Sequence, residues 1–189
     1  MTLTISADST SEVNTGVINN QYGTINATVS SANTTATEET TVASLVADDV
    51  TATLSGGGDT TITLITATDA ATVTASGSGV YTLTEVDAGG NVVVEGSNVT
   101  GTMTVALDVV TGTSTVTSGA GAATITSANG GATSITLGAA NGVTDQIIQH
   151  GTSTGAVSIT NFNAGSTAGD AIDLSFGGLN AGFTGTDLN

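Results

Sequence analysis

The chain contains no lysine and no arginine, so its 16 carboxylates meet no Lys or Arg partner and the formal charge is −16. Each carboxylate must be solvated, hydrogen-bonded to backbone N–H, neutralised by a bound cation or protonated. The same absence removes the electrostatic footing for nucleic acid, because phosphate neutralisation needs Lys or Arg. It equally disfavours docking on anionic lipid. There is no cysteine, which excludes disulfides and thiolate metal sites. Proline and tryptophan are also missing, and three Phe and two Tyr leave little aromatic mass for a compact core. No run approaches the roughly 20 apolar residues of a membrane helix. Met1 is followed at once by Thr-Leu-Thr-Ile-Ser, without the basic and long apolar segments of a cleaved secretion signal. An exported chain of this kind must carry its address elsewhere.

What is present is Ala, Val, Ile and Leu set among many Thr, Ser and Gly. Disordered chains combine low hydrophobicity with high net charge; here the mean hydropathy is +0.29 and β-branched residues abound. Short alternating runs bounded by Gly, Asn, Asp and Ser dominate, as expected of strands. Their central apolar residues, Ile62, Val73, Leu83, Val93, Val105, Val116, Ile125, Ile135, Ile147 and Ile159, follow one another with a rough beat of 9 to 12 residues. The connections carry turn chemistry, for example Gly56-Gly-Gly-Asp59, Asp87-Ala-Gly-Gly90 and Asn129-Gly-Gly131.

Strands at this spacing fit either an antiparallel β-sandwich or a β-solenoid with about two strands per coil. A sandwich normally builds its core from large residues, aromatics included. A solenoid stacks small β-branched residues in a narrow interior and needs small residues at its corners. The pattern therefore points to an all-β fold, a β-roll-like solenoid, with the β-sandwich as alternative. Residues 56–143 read as the repetitive solenoid and 144–189 as a C-terminal cap. Residues 1–55 read as a β-rich region with irregular spacing and its own packing or an assembly role. Within it Met1, Leu3 and Ile5 alternate with Thr2, Thr4 and Ser6. Residues 1–7 thus form either a first home strand or a strand donated to a neighbouring copy.

With no Lys or Arg in the chain, inorganic cations are the natural partners. Calcium leads, because it takes carboxylate and carbonyl oxygens in irregular geometry. The candidate ligands are Asp170 and Asp173 with Asn161 and Asn163; Asp87, Asn91 and Glu95; Asp48 and Asp49, with Glu38 and Glu39 similar; and Asp145 beside Asn141 and Gln146. For each, turn capping through backbone N–H or a solvated loop is the competing role. Adjacent pairs such as Asp48–Asp49 point to opposite faces when on a strand. His150 is the only histidine, and no Gly-x-Ser-x-Gly elbow or phosphate loop accompanies it. The chain is not expected to be an enzyme. Thr-x-Thr runs such as Thr72/Thr74 and Thr115/Thr117 place threonines on the face opposite the core. They resemble the ladders of ice-binding solenoids, although uneven steps are expected to spoil a flat array.

The C-terminal part carries a more specific pattern. Residues 141–151 and 158–179, through Ile159, Phe162, Asp170, Ile172, Asp173, Leu174 and Ser175, resemble the ends of type I secreted proteins of the repeats-in-toxin group. Bacterial S-layer proteins of that group are similar in their Thr/Ala/Gly/Val composition. The resemblance implies export through an uncleaved C-terminal signal, and β-rolls that bind calcium. The calcium nonapeptide is not intact here: residues 56–64 only echo it, and between Gly96 and Val143 the one acidic side chain is Asp108. Any calcium is therefore expected at the ends and corners. Together these readings describe an extracellular or cell-surface structural subunit that self-assembles, with calcium, into a filament, biofilm matrix or surface layer. A non-polymerising adhesin or spacer and an ice-binding solenoid are the alternatives.

Overall fold

Runs such as Thr72-Val-Thr-Ala-Ser76 place hydroxyls on one side of an extended chain and small apolar groups on the other. One side can then be buried only if other strands share the same interior. In the computed structural model, which describes residues 1–8, 12–32, 39–139, 142–150, 154–164 and 169–173, the chain winds into a parallel β-solenoid of about 7 turns. Among the described residues there is no helix. The strands are β1 (Thr2–Ala7), β2 (Val13–Ser31), β3 (Glu39–Gly56), β4 (Asp59–Ala67), β5 (Ala71–Gly77), β6 (Tyr81–Ala88), β7 (Val92–Val99) and β8 (Met103–Val110). They continue with β9 (Ser114–Thr117), β10 (Ala123–Thr126), β11 (Asn129–Gly130), β12 (Thr133–Thr136), β13 (Gln146–Ile148), β14 (Val157–Thr160) and β15 (Ala171–Asp173).

The strands fall into two stacks joined into one 15-stranded sheet. The first stack is β1, residues 24–31 of β2, residues 49–56 of β3, then β5, β7, β9, β12 and β14. The second is residues 13–20 of β2, residues 39–47 of β3, then β4, β6, β8, β10, β13 and β15. Because β2 and β3 each run through a corner, the sheet is continuous from one stack to the other. The described part of residues 1–55 thus supplies the first coils of the same stack that later residues extend, with no break in pairing at Gly56.

Inward side chains form rows along the axis. Val42, Ile62, Leu83, Val105, Ile125 and Ile147 make one row, and Ala27, Ala52, Val73, Val94, Val116 and Ile135 another; all are buried. Each Val, Leu or Ile so buried contributes about 1.5–3 kcal/mol relative to exposure. The sequence expectation centred on Val93 is corrected here. Val94 enters the core beside Val73, and Val93 faces outward. Three consecutive valines hide the two-residue period, so only the partner strand fixes which one points in.

Among the described residues Tyr81 is the one buried aromatic, and the carbonyls of Gly56 and Ser76 at a corner share its single hydroxyl proton. Other inward hydroxyls, among them Thr40, Thr60 and Ser114, are buried without a hydrogen-bond partner among the described residues. At the corners backbones stack so closely that a Cβ has no room. In the column Gly58, Gly79, Gly101, Gly121, a Cβ on any of the last three would overlap the carbonyl oxygen of the glycine before it.

Among the described residues, both ends of the stack are paired on one side only. β1 and residues 13–20 of β2 form one end, β14 and β15 the other. Leu3, Val13 and Ile18 at the first end, and Val157, Ile159, Phe162 and Ile172 at the second, are only partly buried against the core.

Candidate functional site

A carboxylate in this chain finds no Lys or Arg, so the backbone N–H groups of the neighbouring coil are the nearest charge-compatible donors. Three corner side chains use them. Asp59 Oδ1 accepts from Val80 N–H at 3.1 Å, Asp87 Oδ1 from Val109 N–H at 3.0 Å, and Asn91 Oδ1 from Thr113 N–H at 2.9 Å. Each bond clasps one coil to the next. Near the C-terminal end the sense reverses: Asp145 Oδ1 accepts from Ala123 N–H at 2.7 Å, and Asp170 Oδ1 from Asp145 N–H at 3.1 Å.

The candidate ligands are thus distributed as follows. Asp145, Asp170 and Asn163 come together: Asp170 Oδ2 accepts from Asn163 N–H at 2.7 Å, while Asp170 N–H donates to the Asn163 carbonyl at 2.7 Å. Asp145 is 5% exposed. Burial pushes its carboxyl above the ordinary value, with the Ala123 N–H opposing and the Asp170 charge adding. Asn161 turns away, its Nδ2 donating to the Leu137 carbonyl at 3.0 Å from a left-handed backbone with φ 65°. Asp173 lies in β15, where its carbonyl accepts from Gln149 N–H at 3.0 Å. Asp87, Asn91 and Glu95 do not form one set, since Asp87 lies on β6 in the second stack and Glu95 on β7 in the first. Glu95 is held below its ordinary value by the Ser97 hydroxyl, against a smaller opposing effect of burial. Asp48 and Asp49 sit at the corner inside β3, where the Asp48 carbonyl accepts from Asp69 N–H at 2.8 Å. Glu39 begins β3 and pairs with Asp59. Glu38, Asn141, Leu174 and Ser175 lie outside the described residues.

One group escapes the sequence reading. Glu85, Asp87 and Asp108 bring carboxylate oxygens within 4.8 Å of one another, and His150 Nε2 lies 3.1 Å from Asp108 Oδ1. The signal for it is present in the spacing. Asp87 and Asp108 stand close to one coil apart, nearly the interval that sets Leu83 beside Val105, so the solenoid stacks them on one face. Carboxylates keep several lone pairs after accepting one N–H, so both this group and the Asp145–Asp170 pair retain oxygens for a cation. The surface depressions around Asn161–Asn163 and around Thr117–Ala120 have no titratable side chain among their described lining residues.

The outward face of the first stack carries a second arrangement. The row that starts at Thr4 continues through Thr28, Thr53 and Thr74, meets Glu95, and resumes through Thr117, Thr136 and Thr160. Coils of unequal length leave its register intact. The coil from Thr115 to Ser134 is shorter than the one from Ser134 to Ser158, yet both stay in register because the corners absorb the difference.

Met1 precedes β1, and Leu3 and Ile5 lie on it; β1 pairs in parallel with β2 of the same chain through Leu3↔Ala27 and Ile5↔Val29. Fold and site together define an all-parallel β-solenoid with acidic corners, whose end strands β1 and β14 each have a neighbouring strand on one side only among the described residues. Compared with family models, curated proteins and solved structures, the chain matches none.

Proposed function

We propose that this chain is a structural subunit of an extracellular, calcium-dependent assembly: a filament, biofilm matrix or surface layer. The observation that carries the reading is a parallel sheet whose end strands β1 and β14 each have a neighbouring strand on one side only among the described residues, beside partly exposed apolar residues. Exposed edges template pairing with other chains. The charge supports a cation requirement, because −16 with no Lys or Arg opposes both compaction and contact between copies. Where free calcium is low, as inside a cell, repulsion keeps copies apart. Outside, ions held by Asp145 and Asp170, or by Glu85, Asp87 and Asp108, relieve it, and their binding energy becomes folding energy. The resemblance of residues 141–179 to type I secreted proteins is consistent with that route. A catalytic role is not part of the reading.

Electron microscopy and sedimentation of the purified protein, in calcium and in chelator, test it. Ordered fibres or sheets in calcium that disperse in chelator are expected. Monodisperse monomers in both conditions would overturn it in favour of a non-polymerising adhesin or spacer. A second reading, ice binding, is favoured by the in-register threonine row, although Val93 and Glu95 interrupt the array. An ice-recrystallisation assay at equal protein concentration separates the two, since a purely structural subunit leaves crystal growth unchanged.

A further inference from the structure

We infer that copies of this chain join end to end, β14 of one copy lying against β1 of the next, so that the parallel ladder runs on across the junction. The inference rests on the self-assembly reading and names the surfaces that would carry it.

Polarity comes first. The ladders of the first stack are all parallel. A second copy displaced along the axis therefore offers its first edge to the last edge of its neighbour with strand direction preserved. A two-fold contact between like ends would either reverse that direction or turn the inward face of the sheet outward. The translated contact is head to tail and does not close, so it propagates.

The outward backbone groups match. Thr133 N–H donates to the Ala156 carbonyl and Leu137 N–H to that of Thr160. In a parallel ladder this leaves the amides and carbonyls of Val157 and Ile159 facing the open edge. At the other end Asn26 N–H donates to the Met1 carbonyl and Ala32 N–H to that of Ala7. By the same alternation, the amides and carbonyls of Thr2 and Thr4 face the opposite open edge. Continuing the existing register puts Thr2 N–H on the Val157 carbonyl, Ile159 N–H on the Thr2 carbonyl and Thr4 N–H on the Ile159 carbonyl.

The side chains agree with that register. Leu3 pairs with Ala27 and Ile159 with Ile135, so they are the two ends of one inward row, and both are partly exposed. Stacking would cover each with the other. Among the exposed large apolar residues, Met1 at 53%, Val17 at 68% and Tyr22 at 89% belong to the first coil. Lysine and proline, which commonly blunt free edges, are absent from the chain. Continuing the second stack's register sets Ala171 in the column of Asn14, so Asp170 comes beside Val13 and next to Glu12; the like charges that meet there make the junction dependent on cations.

The chain has no cysteine, so single substitutions in the whole chain give an unambiguous test. Thr4 and Thr160 are exposed and end the same outward row. Across the proposed junction their Cα atoms fall at neighbouring-strand distance, about 5 Å, within disulfide range. T4C and T160C are mixed in calcium under mild oxidation and resolved on non-reducing gels, with sedimentation in parallel. The mixed pair is expected to give a disulfide dimer several-fold above either variant alone, and T4C/T160C a ladder of covalent oligomers. Assemblies in sedimentation with no preference for the mixed dimer would overturn the junction while leaving self-assembly standing. Monomers with no cross-link would remove both. The other occupant of the last edge is the chain's own residues 174–189. Slow hydrogen exchange at Val157 and Ile159 in the dilute monomer would assign the edge to them and overturn the junction.

Discussion

Replacing Gly121 by alanine should loosen the solenoid far more than its single added methyl suggests. A Cβ there would overlap the Gly101 carbonyl oxygen, and would stand 2.5 Å from the Gly101 carbonyl carbon and 2.9 Å from the Thr100 oxygen. All three are backbone atoms, so no side chain can swing away. The corner must move outward, straining the Met103 N–H bond to the Ala122 carbonyl and the Ala120 N–H bond to the Val99 carbonyl. Overpacking costs about 1–3 kcal/mol, and two weakened hydrogen bonds add about 1 kcal/mol each. A loss of about 3–5 kcal/mol corresponds to roughly 6–20 °C in Tm at this chain length. Gly16→Ala is the control, since nothing lies within 4 Å of its added Cβ; it should change stability by about 1 kcal/mol or less, most simply upward. Thermal melts followed by far-UV circular dichroism, in one buffer, make the comparison. If G121A and G16A melt together, the corners are not in backbone contact and the stacked-coil geometry is wrong.

Thr60→Val removes a buried hydroxyl that has no partner among the described residues and keeps the shape, so denaturant unfolding should show a gain of about 1–2 kcal/mol; a loss would mean that the hydroxyl is bonded. Because the folded pKa of Asp145 is raised, the fold binds more protons than the unfolded chain in the window from the ordinary aspartate value up to the folded one. Asp145 therefore adds stability as pH falls through that window and withholds it above. In calcium-free buffer Asp145→Asn should stabilise at neutral pH and flatten that part of the pH profile; an unchanged profile would refute the assignment. Calcium should raise Tm and chelator should reverse it, by about 2.7 kcal/mol per site at a hundredfold excess over Kd; indifference to both would end the calcium proposal.

Much of the fold is legible because solenoid rules act locally. Ile62, Leu83, Val105, Ile125 and Ile147 announce their stack by spacing alone, and the glycine corners announce close backbone approach. Residues 13–20 are not legible as a strand. Gly16, Asn19 and Asn20 break the local pattern, and the segment is extended because Thr40–Ala47 of β3 pair with it. The candidate ligands are legible only as oxygen-rich positions. Whether an aspartate clasps the next coil, as Asp87 does, or the previous one, as Asp145 does, depends on where its corner sits in three dimensions. The threonine row is visible as Thr-x-Thr, but its register depends on how corners of unequal length are folded away, and residue counts do not carry that.

Fibre diffraction from assemblies grown in calcium tests the central claim most directly. Coils stacked end to end run their strands across the fibre, so the inter-strand reflection at about 4.7–4.8 Å must lie on the meridian. The same reflection on the equator, or assemblies that give none, would contradict the account.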